Sequence, residues 1–348
     1  MELIDIFERL HKSPSPSGLE QSAQSIVKDL VSPFVDDVSY DIHGNLISVK
    51  KAKHYETAKT LMLVAHIDEV GLMVSHIEDS GYVRFTKIGG VDTSILRGRS
   101  VQILHNDEII SGVIGCRPIH MKDHGEKDLD VSDLWIDIGT DSYENAQNVI
   151  SIGDSIVLDS SFYRLHNNLI SGRGCDDKVG IAVIIKALES LNKNDLDLDV
   201  VFVSSVQEEV GLRGATTSAY SIKPDICVAV DVAHATDYPG INKAKYGNIK
   251  LGHGPVISYG TDLTSNIQKL FANLSKEHSI PYQVLAQPGS SGTDVHAVQV
   301  SRGGCASGLI SIPCRYMHTP VEVVSLNDMS NAVEEISLFC KGASGLYE

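Results

Sequence analysis

The sequence predicts an α/β fold: a central mixed, mostly parallel sheet flanked by helices, with a small β-barrel inserted into it. Apolar runs such as Leu61–Ala65 and Val200–Val203 alternate with helical patterns along the chain. Such runs are typical of strands buried on both faces of a parallel sheet. From about residue 72 to 164 the pattern changes to short alternating runs separated by Gly, Asp and Asn, which favours a small barrel.

The length and order of these patterns predict the domain organisation. A chain of 348 residues exceeds the size at which one core keeps growing, so a large domain plus a smaller one is expected. Strands on both sides of the barrel segment end in candidate site residues, so the simplest topology inserts the barrel into one α/β domain. We predict a main domain of residues 1–71 plus 165–348 and a barrel domain of residues 72–164.

Composition excludes several functional classes. The formal net charge of −16 argues against a nucleic-acid partner or an anionic membrane, because phosphate binding depends on Lys and Arg. The N-terminus lacks the features of a secretory signal, and no apolar stretch reaches membrane-spanning length. The six cysteines contain no CxxC pair, which favours free thiols in a reducing compartment. We therefore predict a cytoplasmic protein with no nucleic-acid or membrane partner.

Helix and turn signals define the elements in the first half of the chain. Apolar residues at helical spacing predict an N-terminal helix, and the segment SPSPSG separates it from a second helix. A hairpin follows, and its turn contains a Gly and an Asn that tolerate positive φ. A charged segment within the barrel region is predicted to be a mobile surface loop. In order, these elements are Leu3–Leu10, Leu19–Leu30, Val38–Lys50 with its turn at His43–Asn45, and the loop His120–Asp130.

The α/β pattern resumes after the barrel segment. Asp176 and Asp177 precede a sequence that predicts an amphipathic helix, and the apolar run Ile226–Val230 predicts a strand that ends at Asp231. The remaining predicted elements are a helix at residues 262–278, a strand at 282–286 and a strand that runs into His318, with Pro320 ending the regular structure.

Polar residues end four of the predicted strands. In open α/β sheets, ligands bind beyond the carboxyl ends of the strands. The spacing of His66 and Asp68 is typical of a metal ligand with a supporting carboxylate. The polar residues presented at this edge are His66, Glu208, Glu209, Asp231 and His318, with Asp176 on the loop before the helix.

These side chains predict a metal centre. Histidines together with carboxylates suit a pair of divalent ions, and one carboxylate must bridge if each ion keeps an open position for water. Asp176, isolated on its loop, is the candidate bridge. Simpler interpretations stay open. Glu208 and Glu209 could form an ordinary acidic loop after a core strand. Helix capping could explain either Asp176 or Asp177, although not obviously both. His234 is a weaker candidate.

Several motifs in order give the chain a family resemblance. The segments AHIDEVG, GRGCDDKVG, VQEEVGLRGA, VAVDVAHA and YMHTPVE resemble those of the self-compartmentalising, tetrahedral dinuclear aminopeptidases. That cytosolic family includes glutamyl, leucyl and lysyl aminopeptidases, and some of its members carry cellulase-like labels. The resemblance covers essentially the whole chain and implies a zinc-peptidase-like main domain.

The resemblance also implies roles for individual residues. It implies that His66 and Asp231 bind one metal, that Glu209 and His318 bind the other, and that Asp176 bridges the two. In addition it implies that Glu208 is the general base, that Asp68 orients His66, and that the peptide bond between Asp176 and Asp177 is cis.

The activity implied by the resemblance is hydrolysis of the N-terminal residue of short peptides by a metal-dependent aminopeptidase. Two divalent ions per subunit, Zn or Co, are expected. The barrel is expected to be an oligomerisation domain in a dodecamer built from dimers. Cys175, Lys178 and Val295 depart from residues common in the family, which leaves the substrate preference open.

Three other functions are compatible with parts of the pattern. A dinuclear carboxypeptidase or deacylase would use the same ligands. A glycosidase would need two carboxylates about 5 to 10 Å apart across a sugar and no metal, and the adjacent Glu208 and Glu209 do not suit that role. A metal-stabilised assembly protein without catalysis would have no use for a spare carboxylate beside a filled set of ligands.

Overall fold

The computed structural model describes residues 1–54, 56, 58–106, 108–121 and 130–347. Most of the loop predicted at His120–Asp130 therefore lies outside the described residues. Among the described residues, no helix is both long and apolar enough to span a membrane. All six cysteines are described, and each is a free thiol.

Helices cover the main sheet and occur once in the barrel segment. They are α1 (Leu3–His11), α2 (Gln21–Val31), α3 (Tyr143–Gln147), α4 (Cys175–Ser190), α5 (Arg213–Ile222), α6 (Lys243–Tyr246), α7 (Ser265–Glu277), α8 (Asp294–Gln299) and α9 (Leu326–Gly342).

The strands form one large sheet and one closed barrel. They are β1 (Asp37–Tyr40), β2 (Leu46–Lys50), β3 (Thr60–His66), β4 (Gly71–Ile77), β5 (Val83–Ile88), β6 (Ser100–His105), β7 (Glu108–Gly115), β8 (Trp135–Asp137), β9 (Ser155–Leu158), β10 (Tyr163–Arg164), β11 (Leu169–Gly172), β12 (Asp199–Ser205), β13 (Ile226–His234), β14 (Val256–Gly260), β15 (Gln283–Gln287), β16 (Ala306–Arg315) and β17 (Glu322–Ser325).

Four parallel strands form the centre of the main sheet. The order is β1-β2-β12-β3-β13-β16-β17-β11-β10, with β14 beside β16 and β15 beside β14. Strands β12, β3, β13 and β16 are parallel to their neighbours within this group, and the outer strands of the main path are antiparallel. Residues Ser205 and His66 are directly paired, so the carboxyl ends of β12 and β3 lie at the same level. The mixed, mostly parallel sheet confirms the predicted fold class.

Helix α4 is buried on nearly all sides, so the prediction of an amphipathic helix is wrong. It packs between the sheet and helices α1 and α9, and its residues from Cys175 to Ile185 are all buried. A helix covered on every side needs no polar face, and its apolar residues therefore extend around it. At the buried start of α4, Asp176 and Asp177 have non-helical backbone angles.

The barrel closes in the order β4-β5-β8-β7-β6-β9. Its strands pair antiparallel, and alternating apolar side chains such as Val101, Ile103 and Ile156 fill a core separate from that of the main sheet. Closure removes the exposed edges that an open sheet of this size would present. The predicted alternation of apolar and polar residues is confirmed by this arrangement.

Two predicted strand ends differ from the structure. Strand β13 continues to His234, so Asp231 lies within the strand and not at its end. Strand β16 ends at Arg315, and His318 lies in a turn with a φ of 61°. Regular structure also resumes after Pro320 with β17 and α9, because β17 pairs back onto β16.

Candidate active site

All six predicted metal ligands and base candidates converge at the carboxyl edge of the central strands. They come from five separate parts of the chain: the end of β3, the irregular start of α4, the turn after β12 (Glu208 and Glu209), the interior of β13 and the turn after β16. We call this set the acidic cluster; it consists of His66, Asp176, Glu208, Glu209, Asp231 and His318.

Asp176 lies between the two histidines of the cluster. Its Oδ1 is 3.0 Å from His66 Nε2, and its Oδ2 is 3.3 Å from His318 Nε2. The peptide bond from Asp176 to Asp177 is cis, as the resemblance implied. Asp177 points elsewhere, and its Oδ1 accepts a 3.0 Å hydrogen bond from the backbone N–H of Gly180. Capping therefore accounts for Asp177 only.

The remaining carboxylates complete two groups around these histidines. The potential ligand atoms of His66, Asp176 and Glu209 lie within 4.8 Å of one another, and so do those of His66, Glu208 and Asp231. In addition, His318 Nε2 is 3.3 Å from Glu209 Oε1. Imidazole nitrogens and carboxylate oxygens at this spacing form the kind of donor set that binds Zn²⁺ and similar divalent ions.

The charge balance of the cluster supports bound cations. Burial, reinforced by neighbouring carboxylates, raises the pKa of Glu208 to about 10 and that of Asp231 to about 8. None of the described residues that line the adjoining cavity is Lys or Arg. Glu209 Oε1 is buried and has no hydrogen-bond partner among the described residues. Four carboxylates meet two histidines in this cluster, so divalent cations would supply the positive charge that is still missing, and the residues fit such ions.

Two members of the cluster are already stabilised in their charged forms. The neighbouring carboxylates of Asp176 and Glu209 raise the pKa of His318 to about 11. Burial alone would raise the pKa of Asp176, but its hydrogen bonds with His318 and His66 outweigh burial and lower it. Asp176 is thus the carboxylate of the cluster that most readily stays ionised.

Asp68 lies beside His66, and its carboxylate also binds a second segment. His66 Nδ1 donates to the backbone carbonyl of Asp68 at 3.0 Å, whereas its distance to the Asp68 carboxylate is 3.6 Å. The carboxylate instead accepts from the backbone N–H groups of Glu208 and Glu209, at 2.9 and 3.2 Å. Asp68 therefore holds His66 through its main chain and the turn after β12 through its side chain.

Sequence reasoning missed two residues that fix the geometry. Buried Glu322 accepts from the backbone N–H of His318 at 2.7 Å and from that of Asp176 at 3.2 Å. Asn45, predicted only as a turn residue, accepts from the backbone N–H of Val206 at 3.0 Å. Glu322 follows His318 by four residues in YMHTPVE, and that short spacing was the only available signal.

A second buried ionic group lies next to the acidic cluster, and we call it the ion triad. Glu69 is 2.8 Å from Lys178 Nζ and 2.9 Å from Arg173 Nε. Burial would raise the pKa of Glu69, but the two cations outweigh it and lower the pKa to about 2. Lys178 also donates to the backbone carbonyl of Ser13 at 2.9 Å. Lys178 thus has a structural partner, although it departs from the residue common in the family.

A cavity of about 330 Å³ opens beside the acidic cluster. All the members of the cluster line it, and the other described lining residues are uncharged apart from any protonation of His234. His234, a weaker candidate from the sequence, has an exposed side chain and belongs to neither ligand group among the described residues. The cavity is therefore acidic at one end and neutral elsewhere.

Comparisons with known proteins agree over nearly the whole chain. The family model of the M42 glutamyl aminopeptidases matches residues 44–334. The lysyl aminopeptidase of Pyrococcus furiosus is 32% identical over 336 residues, which are 95% of this chain and 94% of the relative. Aminopeptidase APDkam598 from Desulfurococcus kamchatkensis superimposes with a TM-score of 0.92 at 36% identity, covering 98% of this chain and 94% of that one.

A further solved structure resembles the chain in both of its domains. The TET1 peptidase of Pyrococcus horikoshii, which can assemble into a tetrahedron or a large octahedral shell, superimposes with a TM-score of 0.87 at 30% identity. The match covers 97% of this chain and 99% of that one, so it includes the barrel as well as the main sheet.

Proposed function

The chain belongs to the M42 glutamyl aminopeptidase family and is a metal-dependent aminopeptidase, and from that premise we propose that it uses two divalent ions to remove the N-terminal residue of short peptides. The observation that carries this proposal is the position of Asp176, whose two carboxylate oxygens face His66 and His318 separately. A carboxylate in that position can serve two cations at once.

The proposed division of ligands follows these contacts. His66 and Asp231 would hold one ion, Glu209 and His318 the other, and Asp176 would contact both. The ions are proposed to be Zn or Co, since both accept mixed nitrogen and oxygen ligands. When bound, such ions supply Lewis acidity, which lowers the pKa of a water molecule and polarises a peptide carbonyl.

Glu208 is the proposed general base. It is buried at the edge of the cavity, and its backbone N–H is fixed by Asp68. In this role Glu208 would accept a proton from the attacking water at a carboxylate oxygen and then donate that proton to the leaving amine.

The excess of carboxylates also supports a requirement for a free N-terminus. An α-ammonium group that enters the cavity loses water, and a carboxylate of the acidic cluster can restore a charge-assisted hydrogen bond. An acetylated N-terminus has no such charge. This difference separates the proposed activity from that of a dinuclear carboxypeptidase or deacylase, which would not need the amine.

The glycosidase alternative fits the geometry poorly. The carboxylates of the acidic cluster lie within a few ångströms of histidine nitrogens, whereas a glycosidase leaves its two carboxylates about 5 to 10 Å apart for a sugar. Sensitivity to a chelator distinguishes the two activities, because only the metal-dependent one would be lost.

We propose that the segment of residues 72–164 is an oligomerisation domain, and that the chain forms a homo-oligomer, a dodecamer built from dimers. The support is a closed barrel that contributes no residue to the acidic cluster, and a neighbour that assembles into shells. Free thiols at all six cysteines support a location in the reducing cytoplasm.

The activity can be tested with three substrates for the metal-loaded protein: an unblocked peptide, its acetylated twin and a denatured protein. We expect stepwise loss of N-terminal residues from the unblocked peptide alone. The products are identified by mass spectrometry. Efficient cleavage of the acetylated peptide, or internal cuts in the protein, would contradict recognition of the amine.

A further inference from the structure

Three neighbouring strands form the neutral floor of the cavity. Strand β14 pairs with β15 so that Ser258 lies opposite Leu285, and it pairs with β16 so that Ile257 lies opposite Ile310. Ser258 and Leu309 therefore occupy adjoining positions, and with Leu285 they line the same cavity as the acidic cluster. Ser258 and Leu309 are each 1% exposed, so this floor is firmly packed.

A buried glutamine holds the floor in place. Gln268 Nε2 donates to the carbonyl of Ser258 at 2.6 Å and to that of Leu309 at 3.1 Å. Met317 and Val232 add further apolar surface to the cavity walls. A charged substrate side chain on this surface would lose water and meet no opposite charge there, and that loss costs several kcal/mol.

We propose that this floor accepts the side chain of the substrate's N-terminal residue and selects uncharged aliphatic residues such as leucine and methionine. The inference rests on the proposed function, since it concerns where the substrate residue that is removed binds. The acidic cluster would be occupied by the ions and the amine, and the floor would provide apolar contact for the side chain.

A substrate panel with two charge variants tests this proposal. The metal-loaded wild type is assayed on Leu, Met, Ala, Lys and Glu aminoacyl chromophores. We expect kcat/KM for Leu and Met to exceed that for Lys and Glu by at least about tenfold, the order of discrimination that apolar pockets provide. Leu285→Lys should reverse the order of Leu and Glu.

Val284→Lys is the matched control for this variant. Val284 is the neighbour of Leu285 on β15, is 57% exposed and is not among the described residues that line the cavity. It should keep the wild-type preference. A wild-type preference for Lys or Glu, or an equal change in both variants, would overturn the inference. Cleavage of none of the five substrates would instead count against the proposed function.

The N-terminal loop supports a second inference from an independent contact. Ser17, in the SPSPSG segment, is 7% exposed, and its hydroxyl donates to Asp68 Oδ2 at 2.6 Å. The same carboxylate holds the backbone of Glu208 and Glu209. We infer that Ser17 is a positioning residue that fixes the proposed base through Asp68.

Ser15 offers a matched control within the same loop. Its hydroxyl is buried and donates to the carbonyl of Ile67 at 2.7 Å, so its removal loosens the same loop without freeing the Asp68 carboxylate. We expect Ser17→Ala to lower kcat about tenfold, which corresponds to one lost hydrogen bond to a charged group, with KM unchanged. Ser15→Ala should keep kcat near wild type, and Ser17→Thr should restore most of it.

Metal affinity and thermal unfolding are measured on the same variants. The positioning role predicts that Ser17→Ala lowers kcat more than Ser15→Ala does even if the two variants lose similar thermal stability. Equal losses of kcat in the two alanine variants, or no loss in Ser17→Ala, would overturn the inference.

Discussion

The acidic cluster and the ion triad lie side by side, yet they solve the problem of buried charge in opposite ways. In the triad, Glu69 lies between Arg173 and Lys178, so the protein itself supplies the compensating charge. In the acidic cluster, carboxylates outnumber the histidines that contact them, and no Lys or Arg lines the described part of the cavity. The same end of β3 and the same start of α4 contribute to both.

This difference separates a structural group from a functional one. In the triad, the two cations outweigh burial and lower the pKa of Glu69, whereas burial raises the pKa of Asp231 to about 8. A buried carboxylate without a cation from the protein is costly unless it keeps a proton or binds a metal. The contrast therefore indicates that the carboxylates of the acidic cluster bind a cofactor or substrate, whereas Glu69 stabilises the fold.

The largest effect is expected when the acidic cluster loses its base. Glu208→Gln should lower kcat by about 10²- to 10⁴-fold while metal content and folding stay intact, because the carboxylate transfers a proton and is not needed as a ligand. Glu209→Gln, the matched substitution one residue along, should instead lose metal. Activity assays with metal analysis distinguish the two; equal metal loss in both variants would contradict these roles.

A smaller effect, on stability and not on chemistry, is expected when the triad loses a cation. Lys178→Met leaves Glu69 with Arg173 alone and should lower the free energy of unfolding by about 3 to 5 kcal/mol, because it leaves a buried charge partly uncompensated. Lys186→Met removes a half-exposed ion pair with Glu189 and should cost less than about 1 kcal/mol. Denaturant unfolding measures both. Comparable losses of unfolding free energy in the two variants would mean that the buried triad stabilises the fold no more than a surface ion pair does.

The smallest effect concerns a buried carboxylate that has neither a cation nor a metal role. Burial raises the pKa of Glu335 to about 7, and among the described residues its carboxyl group has one hydrogen-bond partner, the hydroxyl of Ser275. The folded state keeps a proton that the unfolded state loses above a pH of about 4.5. Its stabilising contribution is therefore complete below that pH and is lost as the pH rises through about 7.

Glu335→Gln should remove this dependence. Wild-type stability should fall between pH 5 and 8 by roughly 1 to 3 kcal/mol more than that of the variant, measured by denaturant unfolding at each pH. Parallel curves for the two proteins would show that Glu335 does not keep its proton on folding.

The sequence was most informative where a pattern is local. Continuous apolar runs predicted the parallel centre of the sheet, because its strands are buried on both faces. Alternation of apolar and polar residues predicted the barrel, because its strands are buried on one face. The same logic failed for α4, where full burial removes the polar face. The predicted end of β13 was also too early: the charged residue Asp231 was interpreted as the strand end, but the strand continues past it to His234.

Within the site, the strand-end rule brought together the residues that the structure places in the acidic cluster. It missed Ser17, Asn45 and Glu322 because each acts through hydrogen bonds to backbone groups or to segments distant in sequence. Such contacts have no periodicity. Only the packed fold reveals that these side chains orient the others.

The central claim, that the acidic cluster is a two-cation site, is tested most directly by metal stoichiometry. Metal-free protein is titrated with Zn²⁺ or Co²⁺ by calorimetry, and the loaded protein is analysed for metal. Two ions per chain are expected, with Asp176→Asn weakening both sites and His318→Ala weakening one more than the other. A single tight ion under every loading condition, or an Asp176→Asn variant that retains one site at full affinity, would contradict the claim.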